Sequence, residues 1–137
     1  MSTMFDALQT FMAESASLLQ EMEHALLVME QNATDKEAIN AVFRAAHTIK
    51  GSAGLFALDD IVSFTHHVET LLEQVRNEKQ VLCSEQISLL LDCRDHMTEL
   101  LTLAANATPL TEALRQQGQA LIHLLTPTEP IEVTTAA

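Results

Sequence analysis

His47 is followed by Lys50 three residues on and Gly51 four residues on. Positions i, i+3 and i+4 share one face of a helix, so an imidazole, a cation and a patch of bare backbone would sit together. Carrying a phosphoryl group on nitrogen needs these parts: a nucleophile, a counter-charge, and room for a second macromolecule. A second polar cluster lies downstream, with His66, Glu69 and Glu73 at i, i+3 and i+7. His67 points away from that stripe by about 100°. If the two helices are antiparallel neighbours, Glu69 can accept from the Nδ1–H of His47. That fixes the tautomer and leaves the Nε2 lone pair free to attack phosphorus. Lys50 would then neutralise an oxygen of the incoming group. Arg44, Gly51, Ser52 and Gly54 would frame the approach for a partner.

Each of these features also has an ordinary explanation. A histidine on a helix flank is commonly a surface residue. Gly51 and Gly54 can simply mark the end of a helix. His66 and Glu69 form at least a weak i, i+3 pair. The chemical reading rests on their conjunction.

The elements that must position these residues are all helical. Apolar residues at Met4, Leu8, Phe11, Leu18, Met22, Ala25 and Met29 keep a 3-4 rhythm, interrupted at Ser15. Gln31-Asn32-Ala33 breaks it, and Thr34 to Glu37 reads as a capping box with Thr34 as N-cap. A second helix follows through Ile39, Val42, Phe43, Ala46, Ile49 and Ala53, with a connection over Gly54 to Ala57. His47 falls on the flank of its buried stripe. The third helix runs from about Asp59 to near Asn77 through Ile61, Val62, Val68, Leu71, Leu72 and Val75. Ser84 is expected to cap a fourth helix, with Ile87, Leu90, Leu91, Met97, Leu100, Leu101 and Ala104 inward. Thr108-Pro109 reads as the opening of a fifth helix reaching about Leu125. The expectation is an all-α, five-helix up-and-down antiparallel bundle, a four-helix core with an additional C-terminal helix. Residues 1–126 would form the domain, and 127–137 a linker or disordered tail.

Composition agrees with that class. The chain has 137 residues, enough for one domain with a real core. Three Gly and three Pro are few turn formers, and with no Trp or Tyr the six Met and the aliphatics must fill the interior. A net charge of −12 argues against nucleic acid or an anionic membrane as partner. Yet Lys36, Arg44 and Lys50 cluster around His47, opposed locally by Asp35 and Glu37, which favours an anion there. Cys83 and Cys93 belong to no CxxC pattern and read as two buried free thiols of a reducing cytoplasm. No signal peptide and no membrane span is recognisable.

The segment from Phe43 to Gly54, FRAAHTIKGSAG, resembles the phosphorylation-site segment of histidine-containing phosphotransfer (HPt) domains. The likeness is greatest to the N-terminal domain of chemotaxis histidine kinases and runs on through Leu55-Phe56 and from Thr65-His66 to Leu72. The resemblance implies that His47 is the phosphoacceptor, Glu69 orients its imidazole, Lys50 supplies charge and His66 assists. It implies a relay between a kinase ATP-binding domain and the aspartate of a response-regulator receiver domain. ATP, with magnesium, would sit on the kinase; this chain shows no Walker-type glycine loop and would need no cofactor of its own. Ser52 and Ala57 stand where the family has Gly, usually at the first and often near the second. A cytoplasmic monomer is expected.

Two other classes compete. A carboxylate-bridged metal site needs a Glu-x-x-His on each of two helices, and only Glu21 to His24 supplies one. A non-catalytic helical interaction module would explain the bundle and the acidity, and leave the His47 cluster unexplained.

Overall fold

In the computed structural model, residues 3–126 are described; the expected tail over 127–137 lies outside them. They form five helices: α1 (Thr3–Gln31), α2 (Lys36–Leu55), α3 (Asp59–Arg76), α4 (Ser84–Ala105) and α5 (Glu112–Leu125). No strand occurs among the described residues. The first four helices close a ring in which α2 packs on α1 and α3, and α4 on α1 and α3. The last helix, α5, lies only against α3 and α4, so the four-helix core with one added helix is as expected.

The core is aliphatic, with Met22, Leu26 and Met29 of α1 meeting Val42 and Ile49 of α2, and Val68, Leu72, Leu90 and Met97 opposite. Removing such side chains from water is worth about 1.5–3 kcal/mol each. Unbranched Met fills the irregular space that aromatic rings would otherwise occupy. Ala45, Ala46 and Ala53 are also buried, and their small side chains let α2 lie close to its neighbours. Phe11 stacks on Phe56 with ring centroids 5.3 Å apart, pinning α1 to the turn between α2 and α3. Ser15 is buried within the α1 seam, whereas Met4 is exposed, as are most residues of the first two turns of α1. Arg94 ties α4 to α1: its Nε donates to the Leu19 carbonyl at 2.8 Å, and Nη2 lies 3.6 Å from Glu23.

Several helix ends fall elsewhere than the sequence suggests. The N-cap of α2 is Asp35, whose carboxylate accepts from the Ala38 N–H at 2.9 Å. Thr34 bonds Asn32 instead. The N-cap of α4 is Cys83, whose N–H donates to the Gln86 side chain at 3.0 Å, one residue before the expected Ser84. The N-cap of α5 is Thr111 rather than Thr108, because the Thr108 N–H is drawn back to the Leu103 carbonyl to finish α4. That turn leaves Pro109 outside the helix. Cys83 is exposed rather than buried; Cys93 is buried, and burial, with Asp92 nearby, pushes its thiol up to about 12.

Three helices stop in the same way. Ala57, Glu78 and Ala107 all adopt φ near +60° (56°, 62° and 53°) just past α2, α3 and α4. The following N–H groups reach back to Ala53, Gln74 and Leu103 in the Schellman arrangement. On α5, Leu121 and Leu125 are buried, and Gly118 abuts the ring of His96, which leans on Phe64 with centroids 4.5 Å apart.

Candidate functional site

His47 and Glu69 meet across the α2–α3 seam. The buried stripe of α2 leaves His47 on its edge, and Glu69 is carried at the edge of α3 between Val68 and Leu71. The His47 side chain is 62% exposed, whereas that of Glu69 is only 10% exposed. Nδ1 of His47 bonds Oε2 of Glu69. A carboxylate can only accept, so the proton sits on Nδ1 and Nε2 keeps its lone pair on the exposed side.

Lys50 completes the arrangement, with Nζ 2.5 Å from Oε1 of Glu69. Burial opposes the Glu69 charge, but the ion pair with Lys50 and then the hydrogen bond from His47 outweigh it. The carboxyl is held below its ordinary range. One carboxylate thus serves two donors from successive turns of α2. Lys50, expected to face an incoming anion, is here an ion-pair partner of Glu69.

The remaining expected residues divide. Gly51 and Gly54 lie inside α2 rather than ending it, since the helix continues to Leu55. A Cβ added to either would meet nothing within 4 Å, so the surface beside His47 is open. Ser52 is half-buried on the same turn. Arg44 is exposed and forms no ion pair among the described residues, but Lys36 pairs with Glu78 at 3.4 Å, so the local basic excess is smaller than the sequence suggests. His66 is exposed and forms neither a hydrogen bond nor a ring stack with His47; its ring sits edge-on to His67, centroids 6.0 Å apart.

Two neighbours were not singled out as site residues. Phe43, read as part of the apolar seam, stacks on the His47 ring, and Arg76 lies over Phe43. The i, i+4 spacing of Phe43 and His47 was a usable signal; Arg76 arrives only through the docking of α3. Glu21 and His24 are exposed on α1, and no cluster of three or more metal-ligating side chains occurs among the described residues.

A bundle of helices that holds one exposed imidazole by a carboxylate from the adjacent helix has the form of a phosphotransfer module. The family model of the Hpt domain matches residues 6–120, and the chain belongs to that family. It is 37% identical over 140 aligned positions to the chemotaxis protein CheA of Salmonella typhimurium, covering 96% of this chain and 20% of that protein. It therefore spans about a fifth of that relative. The CheA phosphotransferase domain from Thermotoga maritima superposes with a TM-score of 0.68 at 31% identity, covering 72% of this chain and 93% of that one. The phosphorylated P1 domain of CheA3, in complex with CheY6 from R. sphaeroides, superposes with a TM-score of 0.73 at 25% identity, covering 89% of this chain and 99% of that one. No described helix is long and apolar enough to cross a membrane.

Proposed function

We propose that this chain is the phosphoacceptor and relay domain of a chemotaxis-type two-component system, working as a monomer in the cytoplasm. His47 takes the γ-phosphoryl group of ATP held, with magnesium, on a kinase ATP-binding domain. It then passes the group to an aspartate on a response-regulator receiver domain. In the first transfer the Nε2 lone pair forms an N–P bond, and the bond from phosphorus to the β,γ-bridging oxygen breaks, its electron pair leaving on ADP. In the second, an aspartate oxygen attacks phosphorus and the N–P pair returns to Nε2.

The proton on Nδ1 stays in place throughout, so the phosphorylated ring carries positive charge. Glu69, ionised and aimed at Nδ1, offsets that charge as it develops. Lys50 keeps Glu69 ionised and is near enough to the ring to turn toward a phosphoryl oxygen. His66 takes an assisting part from the exposed face of α3. The observation that carries the reading is the Nδ1–Glu69 bond on an otherwise exposed ring.

Mixed with a cognate kinase domain and γ-labelled ATP, the chain should gain acid-labile, base-stable phosphate. His47→Gln should gain none; label retained by that variant would overturn the assignment. Glu69→Gln should slow uptake by about tenfold to a hundredfold, the range for a lost orienting contact.

A further inference from the structure

The Nδ1–Glu69 bond fixes one corner of the His47 ring but not its plane. A hydrogen bond prefers an angle above about 150° but weakens steeply only below about 120°, so one such bond lets the ring rock by tens of degrees. The Nε2 lone pair lies in the ring plane, so every degree of rocking misdirects it. In-line transfer to phosphorus is sensitive to such misalignment.

Phe43 supplies the missing constraint. Its ring lies one turn before His47 on α2, with centroids 5.8 Å apart and planes 7° from parallel. That is within the offset-stacked range that aromatic pairs favour. Phe43 is itself half-buried against the core, so it is not free to follow the imidazole. Arg76, the last residue of α3, sets its guanidinium carbon 4.3 Å from the Phe43 centroid, a cation–π contact. The α3 helix therefore reaches His47 by two routes: directly through Glu69, and through Arg76 and Phe43.

We infer that Phe43 is a positioning residue, holding the imidazole plane of His47 so that Nε2 points along the line of phosphoryl transfer, with Arg76 steadying Phe43. The inference rests on the reading of His47 as phosphoacceptor. A purely structural role for Phe43 would need only apolar volume, which leucine provides; a positioning role needs a flat face, which tyrosine keeps.

The test uses phosphoramidate as donor, which needs no protein docking. Nε2 forms the N–P bond while the donor's P–N bond breaks and ammonia leaves with its electron pair. Phe43→Leu should label about tenfold more slowly and Phe43→Tyr near the parental rate, with unfolding midpoints followed in parallel. In the NMR spectrum of the parent, the His47 ring protons should show an upfield ring-current shift, lost in Phe43→Leu and kept in Phe43→Tyr. Parental labelling by a folded Phe43→Leu, or no ring-current shift in the parent, overturns the inference alone. No phosphate on the His47 ring of the parent overturns the acceptor reading and this inference with it. Should Phe43→Leu fail to fold, Arg76→Met at the exposed end of α3 decides: slower labelling supports the inference, and a parental rate overturns it.

Discussion

Gly118 of α5 lies so close to His96 of α4 that a Cβ on the glycine would stand 2.8 Å from Nε2 of the ring. The ring cannot swing clear, because it is buried and rests on Phe64. Alanine ordinarily gains about 1 kcal/mol over glycine inside a helix. Here overpacking, at about 1–3 kcal/mol, opposes that gain and exceeds it. Gly118→Ala is expected to lower the thermal midpoint and loosen α5, seen as faster amide exchange over residues 112–125. Gly51→Ala is the control, since it meets nothing within 4 Å and should raise the midpoint.

Lys50 is the cation beside a nearly buried carboxylate. In Lys50→Met, the Glu69 carboxyl would lose the strongest influence holding it low and rise from its parental value, with His47 alone left to oppose burial. The expected cost is about 1–3 kcal/mol in neutral buffer, the range for a buried polar group that loses its partner. Acid unfolding of the variant should begin at a higher pH than in the parent. A stability matching the parent's would show that Lys50 is not needed to keep Glu69 buried and charged.

Ala57 holds φ at 56° in the turn that closes α2. Left-handed backbone costs a residue with a Cβ roughly 1–2 kcal/mol, and glycine avoids it. After the loss of chain entropy, Ala57→Gly should stabilise by about 0.5–1 kcal/mol and raise the midpoint by a few degrees. Calorimetry checks it. Ala57 lies in the turn past α2, ten residues from His47, so phosphate uptake should be unchanged.

Two buried groups shape the acid side of the stability curve. Burial holds His96 below its ordinary value of 6.5, with Glu99 pulling weakly the other way. Asp60 of α3 and Arg115 of α5 line the same cleft. A histidine depressed in the folded state binds protons more readily when unfolded, so its stabilisation is full above 6.5 and falls as the pH drops below it. Glu69 is also depressed, so its contribution is present above 4.5 and lost as the pH falls through its lower folded value. Unfolding midpoints should therefore decline first through the histidine window and again below the carboxylate one. His96→Leu should flatten only the first decline.

The helices were legible because their apolar residues recur with a helical period, and Val42, Ile49, Val68, Leu72, Leu90 and Met97 are all buried as that period requires. Their ends were less so. With glycine absent from the three left-handed positions, nothing in Ala57, Glu78 or Ala107 announces a helix stop. Likewise Thr34, Ser84 and Thr108 are good capping types one to three places from the residues that cap. The His47–Glu69 pairing was readable from face periodicity once the helices were taken as neighbours. Where Lys50 points was not, because both an exposed anion site and a buried carboxylate attract an ammonium, and the spacing between helices decides. His96 was invisible for a related reason: only the docked α5 makes it a core residue.

The open surface over Gly51 and Gly54 has one more consequence. An imidazole standing proud of the helix, backed by Phe43 on one face and open over the two glycines, behaves as a plug rather than a socket. In the proposed relay, any enclosure that excludes water during transfer has to come from the visiting protein. Two visitors of unrelated shape can then use one histidine in turn, each bringing its own cavity, and the domain need not change shape between them.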